Sequence, residues 1–404
     1  MANQQKYPRS FHVVVKPLGS ACNLKCAYCY YEYKGTSGRI TDELLEKFIR
    51  QYLEGNEEEP VTFNWHGGEP ALLGLDFFRK IVELEQKYAQ GKRVENDFQT
   101  NGVLVDESWC EFFKEHNFYV GLSIDGPKHL HDHYRTGFDQ TYRAAQLLKQ
   151  YDIPFNPLTV INRVTAKQPV EVYNFLTKDL GCARLQWLPC VGHKDFRRTA
   201  PGQWHPDRIP AIGTHGAKPG NGLVTEWSVD YDDWGEFLCR TFDLWMKDIG
   251  KVFVNWFESL VGQWMGKPAQ ICSLAPVCGR SLVTMEHDGS LYSCDHFVYP
   301  EYRLGHLNDG PLGDIVYSDQ QRRFGMSKRE SLPDYCKQCK YNFACNGECP
   351  KNRFLKTPDG QPGLNYLCGG NRRFFEYAEP YLRQIVAQLQ GAGIVEARAY
   401  EVRR

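Results

Sequence analysis

The chain has 404 residues, 42% of them hydrophobic and 24% charged, with 15 cysteines and a formal net charge of −1 at pH 7. That length suits one large domain with a smaller one, and the near-neutral balance without a basic run offers nothing to nucleic acid or an anionic membrane, so neither is expected as a partner. No stretch approaches the roughly 20 apolar residues that span a bilayer, and the opening MANQQKYPRSF has no apolar signal core, so a cytosolic protein is expected.

From about residue 11 to 190, short β-rich runs alternate with helical periodicity, which predicts βα units around a parallel sheet. Strands are expected at 11–16, 61–65, 94–99, 118–124, 155–161 and 184–188. The helices between them carry one apolar face, as in Leu44, Leu45, Phe48, Ile49, Tyr52 and Leu53, or Phe77, Phe78, Ile81, Val82 and Leu84. Those stripes read as core. Polar and glycine motifs follow the strands: residues 22–29 after the first, Gly67-Gly68-Glu69-Pro70 after the second, Gln99-Thr100-Asn101-Gly102 at the end of the third, and Ser123-Ile124-Asp125-Gly126 at the end of the fourth. In a complete or partial (β/α) barrel those carboxyl ends meet at one mouth, so the motifs are expected around one cavity. Residues 192–230, rich in Gly, Pro, His and Thr, are too long for an ordinary connection and predict a lid-like loop bridging two domains. Helical patterning resumes at 234–248 and 255–264, and a last amphipathic helix over 372–389 is expected to pack back onto the barrel.

Cysteine spacing carries the chemistry. Cys22, Cys26 and Cys29, in the run CNLKCAYCYY, offer three thiolates to a [4Fe–4S] cluster, which leaves one iron open, whereas an electron-transfer cluster is closed by four. The competing readings are a zinc site or three core thiols; structural zinc wants a fourth Cys or His nearby, and the next His is His66. Fifteen cysteines without a secretion signal fit cluster or metal ligation better than a disulfide framework. Cys272, Cys278, Cys294, Cys336, Cys339, Cys345, Cys349 and Cys368 suffice to close two clusters with four thiolates each, with paired zinc ribbons as the competing reading. Between Cys278 and Cys294, Glu286-His287-Asp288-Gly289-Ser290 reads as a hairpin turn whose second strand delivers Cys294 and Asp295 together. Cys110, Cys182, Cys190 and Cys239 sit in apolar patterns and read as core thiols.

The C-x3-C-x2-C spacing, with Tyr28 before the last Cys, resembles that of the radical S-adenosylmethionine (SAM) superfamily, and the eight-Cys array resembles the SPASM domain. Through Lys16-Pro17, GGEP, QTNGVLVDESW, GLSIDGPK and LYSCD, nearly the whole chain is similar to the anaerobic sulfatase-maturating enzymes. The resemblance implies an α/β fold: a partial (β/α)6 TIM-like radical SAM barrel at 1–235, a cysteine-rich SPASM domain at 236–370, and a closing C-terminal helix and tail at 371–404. It implies three [4Fe–4S] clusters, one on Cys22, Cys26 and Cys29 whose open iron binds SAM, one on Cys272, Cys278, Cys294 and Cys349, and one on Cys336, Cys339, Cys345 and Cys368.

The implied reaction oxidises a Ser or Cys of an unfolded sulfatase segment, Ser/Cys-x-Pro-x-Arg, to Cα-formylglycine. A 5′-deoxyadenosyl radical takes hydrogen from Cβ, a base takes a proton, and an auxiliary cluster takes the electron. An electron donor such as a ferredoxin or flavodoxin is an implied partner. Asp295 matches the family's base; its other reading is a hydrogen bond to backbone beside a cluster. SAM contacts carry over to Tyr28, Gly68, Ser123, Arg135 and Val191, with Gly68 admitting the methionine moiety, Ser123 bonding the ribose and Arg135 pairing with the carboxylate. Glu69, Gln99 and Tyr31 are further candidates for that pocket, Gln99 being equally a turn residue and Tyr31 equally core. His66 stands where some relatives carry Gln, and both a peptide contact and a plain hydrogen bond remain open there. Two alternatives stand beside this reading. One is a SPASM peptide maturase forming thioether or carbon–carbon cross-links, a group that often carries a separate N-terminal peptide-recognition module, so that the roughly ten residues before the first strand count against it; the other is a non-enzymatic cluster carrier.

Overall fold

The structure, a computed structural model, describes residues 9–31, 37–217, 221–279 and 283–391. Most of the opening MANQQKYPRSF and the tail beyond Gly391 lie outside the described residues. Strands and helices alternate as β1 (Val13–Lys16), α1 (Asp42–Gly55), β2 (Val61–Trp65), α2 (Leu75–Tyr88), β3 (Val94–Thr100), α3 (Glu107–Glu115), β4 (Phe118–Ser123), α4 (Lys128–Tyr134), α5 (Phe138–Gln150), β5 (Phe155–Ile161), α6 (Pro169–Asn174) and β6 (Arg184–Pro189). There follow α7 (Tyr231–Trp245), β7 (Phe253–Val254), α8 (Asn255–Trp264), β8 (Val283–Glu286), β9 (Ser290–Tyr292) and β10 (Arg303–His306).

The chain divides into two compact units, each assembled from separated segments. The first holds residues up to Ser123, Arg135–Phe155 and Cys278–Ser327. Its strands run β10-β9-β8-β1-β2-β3-β4, parallel from β8 through β4 and antiparallel across the β8–β9–β10 meander. All four residues of β1 are buried, as befits a strand covered on both faces. In β2 only Val61, Phe63 and Trp65 are buried, and the Phe63 and Trp65 rings meet Phe48 and Tyr52 of α1 and Phe78 of α2 in an aromatic layer. Helix α1 starts where the Thr41 side chain accepts the Leu44 N–H at 3.2 Å, with Asp42 and Glu43 favourably placed in its first turn. The hairpin expected before Cys294 is present, with Gly289 at φ 86°, but its first strand also pairs in parallel with β1, in the register Val13↔Val283 to Lys16↔Glu286.

The second unit holds Ile124–Tyr134, Asn156–Val277 and the chain from Lys328 on. Strands β5, β6 and β7 are parallel there. The helix Cys368–Gly391 crosses α7 closely: a Cβ on Gly370 would lie 2.0 Å from the Tyr231 carbonyl oxygen, and Trp234 Nε1 donates to Asn371 Oδ1 at 2.8 Å. The described part of the 192–230 segment is pinned at both ends. His193 and Val224 bridge in antiparallel, Ile212 N–H donates to the Lys356 carbonyl at 2.8 Å, and the His193 ring lies tilted against Trp204 with centroids 4.1 Å apart. It is a fastened loop within this unit. Cys110, Cys182, Cys190 and Cys239 are buried, as core thiols are.

Candidate active site

In the first unit the strand-end motifs are tied to one another. The loop after β1 turns through Cys29 N–H on the Cys26 carbonyl at 3.0 Å. Two donors reach Cys22 Sγ, the Leu24 N–H at 3.4 Å and Asn101 Nδ2 at 3.7 Å, which is what a thiolate ligand asks of its surroundings. Asn101, at the end of β3, also donates to Asn23 Oδ1 at 2.8 Å. The GGEP segment packs on the same loop through Gly68 N–H to the Gly19 carbonyl at 2.8 Å and Glu69 N–H to the Ala21 carbonyl at 2.9 Å. A Cβ on Gly68 would lie 1.8 Å from the Ala21 oxygen. Gly68 therefore serves a close approach of two backbones.

Glu69 is buried and receives Thr100 Oγ1 at 2.7 Å, Asn101 N–H at 2.7 Å and Ala71 N–H at 3.1 Å. Burial raises its pKa to about 7 against the pull of those donors. Arg135 Nε donates to the Tyr28 hydroxyl at 2.7 Å, and Gln99 Nε2 to Ser123 Oγ at 3.0 Å, so four of the sequence candidates meet in two pairs. Val191 lies in the second unit, where its carbonyl accepts from Lys351 Nζ at 3.0 Å.

Asp295, just past Cys294, sits in a buried polar cluster. Its carboxylate forms an ion pair with Lys16 Nζ and accepts the Tyr30 hydroxyl. Lys16 is fully buried, with its ammonium 3.3 Å from the centroid of the Tyr31 ring, while the Tyr31 hydroxyl donates to Glu286. Burial pushes the Asp295 pKa up, but the positive charge of Lys16 beside it prevails and holds the carboxyl well below the usual carboxylate range. Tyr30 and Tyr31 are shifted the other way by burial and by the facing carboxylates. Burial likewise lowers His66 to about 4, so its ring is neutral. Lys16 and Tyr30 are the residues that sequence reasoning missed. The signal for Lys16 was a charge closing the apolar run VVVK, since an ammonium on a doubly covered strand needs an anion beside it.

The auxiliary thiols divide between the units. In the first, Gln321 Nε2 donates to the Gly279 carbonyl at 3.1 Å and the Ser293 carbonyl at 3.0 Å, tying the residues next to Cys278 and Cys294 together. In the second, Cys336, Cys339, Cys345 and Cys368 line one cavity with Tyr335, Arg372 and Phe375. Four thiols around one hollow fit a closed four-iron cluster. Cys272 and Cys349 are in this unit too; Lys328 Nζ caps the Cys272 carbonyl at 3.0 Å and Asn365 Nδ2 the Cys349 carbonyl at 3.2 Å. Among the described residues, no three His, Cys, Asp or Glu side chains converge as ligands of one metal ion do. No described helix is long and apolar enough to cross a membrane.

A parallel sheet with a three-Cys loop after its first strand, followed by a thiol-rich C-terminal region, defines a class. The radical SAM superfamily model matches residues 17–176, and the model of the SPASM iron-sulfur cluster-binding domain matches residues 276–340. The serine-type anaerobic sulfatase-maturating enzyme of Bacteroides thetaiotaomicron is 41% identical over 97% of this chain and 96% of its own length. The cysteine-type enzyme of Clostridium perfringens strain 13 is 32% identical over 94% of this chain and 99% of its own. The solved structure of native anSMEcpe with bound AdoMet and Cp18Cys peptide superposes with a TM-score of 0.79 at 31% identity, covering 94% of this chain and 99% of that one. The chain belongs to the anaerobic sulfatase-maturating enzymes, radical SAM oxidoreductases that carry iron-sulfur clusters and use SAM.

Proposed function

We propose that the chain converts a Ser or Cys in a sulfatase peptide to Cα-formylglycine with the residue roles the sequence suggests. Cys22, Cys26 and Cys29 hold the SAM-binding cluster. Cys272, Cys278, Cys294 and Cys349 hold one auxiliary cluster, and Cys336, Cys339, Cys345 and Cys368 a second. Tyr28, Gly68, Ser123, Arg135 and Val191 serve the SAM site. When bound, SAM on its cluster supplies a hydrogen-abstracting radical and the auxiliary clusters supply an electron sink.

The observation that carries the reading is Asp295 held ionised by buried Lys16 in the residue after cluster candidate Cys294. Oxidation of a Ser side chain to the aldehyde removes two hydrogens, one as an atom and one as a proton, and leaves an electron to be taken up. The radical accounts for the atom; the proton needs an acceptor within reach of the same carbon. Asp295, ionised and 17% exposed, is accessible to a peptide while Lys16 and Tyr30 fix its orientation. A ferredoxin- or flavodoxin-type donor delivers the electron that starts the reaction. We place the enzyme in the cytoplasm, a compartment that keeps thiols reduced and suits a chain with 15 cysteines.

The test is anaerobic incubation of reconstituted protein with SAM, dithionite and a Ser- or Cys-containing sulfatase peptide. Deoxyadenosine together with a peptide aldehyde is expected. Asp295→Asn is expected to retain iron and sulfide yet lose at least 100-fold in aldehyde yield, on the order of a general-base contribution. A cross-linked peptide, or undiminished turnover in Asp295→Asn, refutes the assignment.

A further inference from the structure

A buried cation in the second unit has no part in the chemistry proposed above. Arg353 is 7% exposed, and all five of its N–H donors are occupied. Nε donates to the Gly347 carbonyl at 3.0 Å, and Nη1 to the Lys328 carbonyl at 2.6 Å and the Ser331 hydroxyl at 3.4 Å. Nη2 donates to the carbonyls of Asn346 at 2.9 Å and Glu348 at 3.2 Å. Three of these acceptors are consecutive residues in the turn between Cys345 and Cys349. That turn is an uncommon one: Asn346, Gly347 and Glu348 have φ of 49°, 68° and 50°, a left-handed region that residues other than Gly visit rarely and singly. The planar guanidinium fork binds its carbonyls and so holds the segment that carries both thiols.

Gly347 also lines the cavity formed by Cys336, Cys339, Cys345 and Cys368. A Cβ on Gly347 would lie 2.6 Å from Arg353 Nη2, so the guanidinium sits directly behind that wall. What the cation lacks there is an anion. A buried charge is costly unless it is paired, and the five acceptors of Arg353 are all neutral. Glu348, the one carboxylate of the turn, is taken up by the side-chain amides of Asn352 at 3.2 Å and Asn365 at 2.6 Å. A four-iron cluster closed by four thiolates is net negative and becomes more so when it gains an electron. A fixed positive charge behind the cavity wall therefore stabilises its reduced state more than its oxidised state.

We propose that Arg353 is a positioning residue for the cluster held by Cys336, Cys339, Cys345 and Cys368: its fork fixes the turn that begins at Cys345, and its charge raises that cluster's reduction potential. The electron given up by the oxidised substrate is then easier to accept; the cluster gains it, and no proton or further reactant is needed. The proposal rests on the cluster assignments made above, and its test separates the two.

The test is an anaerobic redox titration, followed by electron paramagnetic resonance, of the full chain reconstituted with iron and sulfide. Cys22→Ala, Cys26→Ala and Cys29→Ala are combined as the parent, which removes the signal of the SAM-binding cluster. Arg353→Gln deletes the charge and Arg353→Lys keeps it, while both lose the planar fork. In Arg353→Gln an auxiliary midpoint potential should fall enough to cut the reduced-to-oxidised ratio at fixed potential at least about tenfold, which is about 59 mV for one electron. Arg353→Lys should stay close to the parent. Where Arg353→Gln fails to hold the cluster, iron analysis is the readout: loss of about four irons per chain in that variant and not in Arg353→Lys supports the same role for the charge. Equal potentials in parent and Arg353→Gln, equal shifts in the two variants, or equal iron loss in both overturn the proposal. Aldehyde formation by the wild type is scored separately, so its absence overturns the proposed function, and its presence does not rescue a failed titration.

Discussion

Replacing Lys16 by Met tests whether the ion pair under the proposed base is what holds it. The side chain is fully buried, its ammonium pairs with Asp295 and lies 3.3 Å and 5.5 Å from the ring centroids of Tyr31 and Tyr30. Met keeps most of the volume and removes the charge. Deleting one partner of a buried pair costs about 3–5 kcal/mol, because the other charge is left without compensation. Asp295 is 17% exposed and keeps the Tyr30 hydroxyl, so the lower end, about 3 kcal/mol, applies here. Asp295→Asn alone strands the ammonium and should cost a similar amount. In the double variant neither charge is stranded, so its loss should fall at least about 2 kcal/mol short of the sum of the singles. The assay is anaerobic thermal unfolding of the cluster-loaded wild type, both singles and the double at one scan rate, with the clusters checked by absorbance. Losses that simply add would mean that Lys16 and Asp295 are not coupled, and the account of how the base is held ionised would fail.

Two further perturbations probe other parts of the same unit. Gly68→Ala places a methyl group 1.8 Å from the Ala21 oxygen, so two backbone hydrogen bonds to the Cys22 loop must break. The iron held by that loop should be lost while the thiols around the Cys336 cavity keep theirs, and full iron content with intact SAM binding would show that the close approach is dispensable. Glu85 is only 4% exposed; burial raises its pKa to about 8, against one hydrogen bond from Asn96 at 2.9 Å. Its folded pKa lies above the unfolded value, so its stabilising contribution is complete below pH about 4.5 and declines as the pH rises through the window up to about 8. Between pH 6 and 8 the decline is about 2–3 kcal/mol, and Glu85→Gln should flatten that part of a profile of thermal midpoint against pH. Parallel profiles for the two proteins would show that Glu85 is not protonated in the fold.

The strands were legible where burial alternates with a period of two. β2 and β5 occupy the expected residues, because Val61, Phe63 and Trp65 in one, and Leu158 and Val160 flanking buried Thr159 in the other, stand in runs bounded by polar or proline-containing turns. β1 begins two residues later than its apolar run. Phe11 is buried, but its N–H goes to the Asn56 side chain at 2.8 Å and leaves the ladder. Of the thiols the sequence grouped by spacing, Cys336, Cys339, Cys345 and Cys368 line one cavity.

What local reading could not supply is the pairing of β8 with β1, strands separated by more than half the chain. That pairing sets Lys16 opposite Glu286 and brings the hairpin that ends at Cys294 beside the first strand. Asp295 on its own would be an ordinary carboxyl whose burial raises its pKa and favours the neutral form, which is useless for accepting a proton. The cation that reverses this comes from a different segment, and it arrives through backbone register. A change that slips β8 by one residue against β1 would turn Glu286 to the opposite face and misalign Asp295 with Lys16, while leaving every cysteine spacing intact. The ionised state of the proposed base therefore depends on strand register as much as on motif spacing.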